Sequence, residues 1–127
     1  GTIPVRGRSD REGQTTLERH VRAEVERGHS ILGFPEGTRT RNGRVGRFRK
    51  GLFRIARNVG LPIVPVAVTG MYEVLRAGSA LFRPGGEVVV WCGAPIETAG
   101  LADAELAGLA RGGALLAHAA PLKNQTT

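Results

Sequence analysis

Three short apolar runs, at residues 30–34, 62–69 and 87–92, are separated by stretches whose apolar residues recur at helical spacing. That order limits the folds open to the chain. The runs are nearly continuous in apolar side chains, which suits strands covered on both faces. A further strand-like segment, Thr2-Ile3-Pro4-Val5, stands at the front, already under way, so an N-terminal portion of the domain is expected upstream. Strand, helix, strand, helix, strand in this order predicts right-handed crossovers and an α/β fold with a mainly parallel sheet and helices on both faces.

The helical segments carry their own signals. Thr15 and Glu18 have capping-box spacing, and Leu17, Val21 and Val25 recur every four residues, which predicts a helix over 15–27 stopped by Gly28. A second helix is expected over 50–58, with Leu52, Phe53, Ala56 and Val59 inward, Arg54 and Arg57 outward, and Gly60 at its end. An alanine-rich helix begins near Ala102, and Gly112-Gly113 is expected to weaken or break it. Pro65 inside the run 62–69 cannot donate to a ladder, so it marks an edge, a bulge or a strand start. Residues 1–100 are therefore read as a partial domain, 101–120 as a helix packed on it and 121–127 as a frayed tail.

Chemistry gathers where the run 30–34 ends. Phe34-Pro35-Glu36-Gly37-Thr38-Arg39-Thr40 turns the backbone and is followed by Arg41, Arg44, Arg47, Arg49 and Lys50. In open α/β sheets, ligands bind beyond the carboxyl ends of strands. Gly37 permits close approach of a ligand to the backbone, Thr38 and Thr40 offer hydroxyls, and Arg39 offers a planar fork matched to phosphate oxygens. The formal net charge of +7 is carried almost wholly by arginine and suits phosphate-bearing partners. An aromatic content of 5% and the lack of a recognition helix argue against nucleic acid. The single cysteine, Cys92, rules out an internal disulfide or a multi-cysteine metal site and is read as a buried hydrophobe. No metal is implied.

Phe34 to Thr40 resembles the FPEGTRS block of the glycerolipid acyltransferases, the family that includes the 1-acylglycerol-3-phosphate acyltransferases. Phe48-Arg49-Lys50-Gly51 is similar to the F-K-K-G element of that family. Ile63-Val64-Pro65-Val66-Ala67-Val68 is similar to its V-P-V-A-I block, and Gly1-Thr2-Ile3-Pro4-Val5-Arg6 to its G-x-I-F-I-x-R block. The resemblance implies acyl transfer from acyl-CoA or an acyl-carrier protein to a lysophospholipid acceptor. It places the protein in phospholipid biosynthesis, peripheral on the inner, cytoplasmic face of the cell membrane and touching an anionic lipid surface. No bound cofactor is implied; the acyl thioester is a substrate.

Carried over residue by residue, the resemblance gives Arg39 the acceptor phosphate and gives Gly37 and Thr38 close backbone and hydroxyl contacts. Glu36 either anchors Arg39 or accepts from a glycerol hydroxyl, and Lys50 reaches toward the site. The front arginine of the family falls here at Gly7, with Arg6 and Arg8 on either side, and Arg8 is its counterpart if the loop slips by one residue.

The family's reactive His and Asp form an H-x-x-x-x-D block, and none of His20, His29 or His118 is followed by Asp at that spacing. His20 and Glu24 are four apart on the first helix and read as a solvated contact. His29 stands about 16 Å from Glu36 if the strand is extended, at its far end. No catalytic residue is therefore assigned within the chain, which is expected to lack acyl transfer on its own. The other reading is a non-catalytic module of the same fold that binds phosphate or anionic lipid.

Overall fold

The computed structural model describes residues 11–75, 78–79, 81 and 84–119, with side chains described through residue 114. Its elements are α1 (Arg11–Glu26), α2 (Gly51–Val59), β1 (Val66–Thr69), α3 (Met71–Val74), β2 (Val89–Cys92) and α4 (Asp103–Ala119). The segment 1–10, which contains the expected front strand and Arg8, lies outside the described residues, as does the expected tail 121–127.

Helix α1 starts a turn earlier than the capping-box spacing predicts. The Thr15 hydroxyl donates to the Arg11 carbonyl at 2.9 Å, so Thr15 is an interior residue bonding back one turn rather than a cap. The apolar stripe is as expected: Val21 is buried, and Leu17 and Val25 are half-buried. Gly28, at φ 82°, terminates the helix in the left-handed conformation that glycine adopts without penalty. Helix α2 ends in the same way at Gly60, whose amide meets the carbonyls of Ala56 and Arg57.

The expected parallel sheet is not what the described residues form. β1 and β2 pair antiparallel, with Val66 opposite Cys92 and Thr69 opposite Val89, and an isolated antiparallel bridge joins Ile63 to Ile96. A parallel return needs a long crossover, usually a helix. Between β1 and β2 the described residues of segment 70–88 hold only the four-residue α3 and no crossover helix, and the chain reverses. At the turn out of β1, Gly70 has φ 86°, and a Cβ there would collide with the Glu87 carbonyl oxygen. Of the three possibilities for Pro65, the strand start is the one observed: it precedes β1, and its carbonyl accepts the Gly93 amide at 2.8 Å. Residues 29–34, expected as a buried strand, form no strand and belong to no ladder among the described residues, and Leu32 and Phe34 are exposed.

Helix α4 packs against α2 and β1. Leu106 is fully buried and clusters with Phe53, Ala107 and Ala110, with Phe48, Ile63, Ile96 and Leu101 around them. A second cluster, Ala67 and Ala114, shares Phe48 and adds Trp91. Phe48 thus belongs to both clusters and stacks on Phe53, with ring centroids 6.1 Å apart. Gly112 and Gly113 do not interrupt α4. A Cβ on Gly113 would stand 3.4 Å from the Pro65 ring, so the missing side chain lets the helix approach β1 closely.

Two further expectations fail for reasons of register and long-range charge. Cys92 is exposed, not buried, because the alternation of β2 puts it with Val66, Val68 and Val90 on the face away from α4. Helices therefore do not cover both sheet faces among the described residues. Arg54 and Arg57 do not simply face solvent: Arg54 Nε is 2.9 Å from Asp103 Oδ2 and Arg57 Nη1 is 2.7 Å from Asp103 Oδ1. The second contact is an ion pair without hydrogen-bond alignment. Together these pairs tie α2 to the first turn of α4.

Candidate acceptor site

The loop between residues 35 and 49 is closed at its neck and stiffened within. The Gly37 amide donates to the Phe34 carbonyl at 3.0 Å, completing the Pro-Glu turn, and the Arg49 amide donates to the Pro35 carbonyl at 2.8 Å. Phe48, held in the core, anchors the returning limb next to that neck. Glu36 Oε2 accepts the Gly46 amide at 2.7 Å. Thr40 Oγ1 donates to the Arg44 carbonyl at 2.9 Å, and the Arg44 amide donates to Asn42 Oδ1 at 3.1 Å.

This wiring reassigns several expected roles. Glu36 holds the loop's own backbone; it does not anchor Arg39. Thr40 is engaged inside the loop, so its hydroxyl is not offered outward. Gly37, at φ 68°, does permit a close approach, but the group that approaches is the Arg49 guanidinium, 3.0 Å from where a Cβ would be. Arg49 was legible only as surface charge, and nothing local in the sequence points it at Gly37. Lys50 is exposed at the N-cap position of α2, beside Arg49.

Thr38, Arg39 and Arg41, with Gly78 opposite, line an open cleft of about 420 Å³. All four residues are exposed, and no ion pair holds Arg39 among the described residues. Among the described residues the Thr38 hydroxyl makes only a long contact of 3.5 Å, to the Arg39 carbonyl. The cleft therefore presents two guanidiniums and a hydroxyl, an arrangement suited to a phosphate monoester. The structure thus brings Thr38 and Arg39 together at the cleft, with Glu36 and Gly37 shaping the turn behind them.

Removing the Glu36 carboxylate strips the Gly46 amide of its acceptor. Glu36→Ala is expected to speed hydrogen exchange at that amide by about tenfold or more, since a bond to a charged group contributes roughly 1.5–3 kcal/mol. Unchanged exchange at Gly46 would contradict the clasp.

The histidines take no part in the cleft where their side chains are described. His29 Nδ1 donates to Glu24 Oε2 at 2.7 Å. That bond holds the Glu24 carboxyl below the usual carboxylate range, against an opposing effect of desolvation and with help from Arg27. Glu24 is therefore partnered by His29 and Arg27, not by His20 as the helix spacing suggests. Among the described residues there is no group of His, Cys, Asp and Glu able to hold a metal ion, and no helix is long and apolar enough to cross a membrane.

Residues 1–69, more than half of the chain, match the Acyltransferase family. The chain is 36% identical over 96 residues to the chloroplastic 1-acyl-sn-glycerol-3-phosphate acyltransferase BAT2 of Brassica napus, covering 76% of this chain and 28% of that protein. It is 31% identical over 97 residues to 1-acyl-sn-glycerol-3-phosphate acyltransferase alpha of Mus musculus, covering 76% of this chain and 31% of that protein. Among solved structures, the 1-acyl-sn-glycerophosphate (LPA) acyltransferase PlsC of Thermotoga maritima superposes with a TM-score of 0.68 at 26% identity, covering 87% of this chain and 46% of PlsC. The chain thus spans less than a third of these two curated relatives and less than half of the solved one. By family match, by relatives and by fold, the chain belongs to the Acyltransferase family, among proteins named 1-acyl-sn-glycerol-3-phosphate acyltransferases.

Proposed function

We propose that this chain supplies the acceptor-phosphate site of a 1-acylglycerol-3-phosphate acyltransferase. In the reaction, the acceptor hydroxyl oxygen bonds to the acyl carbon, the donor's C–S bond breaks, and the proton ends on the released thiol. The donor is an acyl-CoA or acyl-carrier-protein thioester, and the acceptor a lysophospholipid. The observation that carries the reading is Arg39, without an ion-pair partner among the described residues, beside Arg41 and Thr38 in an open cleft within the segment matched to the family.

Arg39 binds the phosphate through its fork, Arg41 adds charge, and the Thr38 hydroxyl donates one hydrogen bond. Glu36 and Gly37 keep the turn in shape, and Arg49 and Lys50 raise the local positive potential. Arg8 belongs to the same cation group in this reading. The H-x-x-x-x-D block that the resemblance implies is not found within these residues, so in this reading the chain supplies acceptor binding and not the proton-accepting pair.

Equilibrium binding of lysophosphatidate, compared with the monoacylglycerol of the same chain length, tests the proposal. Lysophosphatidate is expected to bind at least about tenfold more tightly, because the phosphate alone meets the guanidiniums and 1.4 kcal/mol corresponds to tenfold. Equal affinity for the two would contradict it.

A further inference from the structure

The arginine-bearing loop is also held from outside, by two side chains that lie beyond the segment matched to the family. From α4, Arg111 Nε donates to the Gly46 carbonyl at 2.9 Å, and Arg111 Nη2 donates to the Val45 carbonyl at 3.4 Å. From α3, the Tyr72 hydroxyl donates to the Arg41 carbonyl at 3.0 Å. The Tyr72 ring lies against Gly43, where φ is 76° and a Cβ would stand 3.2 Å from the ring. Gly46 therefore has both backbone groups fixed by side chains, the amide by Glu36 and the carbonyl by Arg111. Arg41, which lines the cleft, is fixed by its carbonyl.

These contacts have a shape that packing alone does not demand. No carboxylate pairs with Arg111 among the described residues. Its planar fork meets two successive carbonyls of one loop instead, a task that a point charge performs poorly. A loop with many glycines and arginines loses much freedom on ordering, and a site built on it gains affinity when that ordering precedes binding.

We propose that Arg111 and Tyr72 are positioning residues of the acceptor site, holding the loop 41–46 by its carbonyls so that Arg39 and Arg41 stand ready at the cleft. The proposal rests on the acceptor-phosphate reading above.

Two readouts on the intact chain test it: the affinity for glycerol 3-phosphate, and the initial rate of trypsin cleavage after Arg41, Arg44, Arg47 and Arg49, followed by mass spectrometry. Arg111→Ala and Tyr72→Phe are each expected to weaken glycerol 3-phosphate by about three- to tenfold, the loss of a hydrogen bond or two. Each should also raise loop cleavage by a similar factor while cleavage after Arg19 and Arg22 in α1 is unchanged. Arg111→Lys, with one donor nitrogen in place of two held in a planar fork, is expected to recover part of the affinity. Tyr72→Phe keeps the ring against Gly43, so its effect reports the hydroxyl alone.

Unchanged loop cleavage in both variants would overturn the proposal. So would faster cleavage with unchanged affinity, which would make the contacts merely structural. A flat titration of the wild-type chain with a protected loop would remove the acceptor site and this proposal with it. That result is distinct from failure of the brace alone, in which the wild-type chain binds and the variants bind equally well.

Discussion

Arg39→Ala is expected to lower the affinity for glycerol 3-phosphate by about ten- to thirtyfold, the largest functional effect of any single substitution in the loop. The Arg39 guanidinium brings full charge and a fixed fork to the cleft, stands beside the Thr38 hydroxyl, and has no internal ion-pair partner among the described residues. A hydrogen bond to a charged group contributes roughly 1.5–3 kcal/mol, and the open setting keeps the loss at the low end. Arg39→Lys should cost only about three- to fivefold, because charge is kept while the two-pronged contact is lost. Calorimetric titration of both variants separates the two contributions. A change of less than twofold in Arg39→Ala would remove Arg39 from the site.

The largest effect on stability is expected from Leu106→Ala, at about 2–5 kcal/mol. Leu106 is fully buried where α4 meets Phe53 of α2, with Ile63, Ile96 and Leu101 around it. Truncation leaves a cavity that the aromatic pair Phe48–Phe53 cannot readily fill, since Phe48 also serves the second cluster. Because small domains are stable by only about 5–15 kcal/mol in total, the variant should melt about 10 °C or more below the wild type. Urea denaturation measures the difference. A loss below about 1 kcal/mol would mean that α4 is not seated as described.

Where the sequence was legible, the governing interactions were local. The stripe Leu17, Val21 and Val25 and the stops at Gly28 and Gly60 follow from spacing and backbone preference, and all are present; for Pro65 the sequence left an edge, a bulge or a strand start open, and the last is observed. The direction of pairing was not legible, because an apolar run looks the same in either orientation and the segment 70–88 is long enough to cross over or to reverse. Cys92 shows the same limit: residue type favours burial, but strand register placed it outward.

The site divides along the same line. Thr38 and Arg39 were singled out from the turn that carries them, and both line the cleft. The true partner of Glu36, the packing of Arg49 over Gly37 and the grip of Arg111 on Val45 and Gly46 depend on contacts that no spacing rule encodes. Arg54 and Asp103 meet across 49 residues for the same reason.

The most direct measurement is a titration of the isotopically labelled chain with glycerol 3-phosphate, following backbone amide and arginine side-chain resonances. The acceptor-phosphate account predicts saturable shifts at Thr38, Arg39 and Arg41, with the Arg39 guanidinium moving most. Shifts confined to a different surface depression, such as that lined by Thr15, Glu18, Arg19 and Arg22 on α1, or no saturable shift at Arg39, would contradict it.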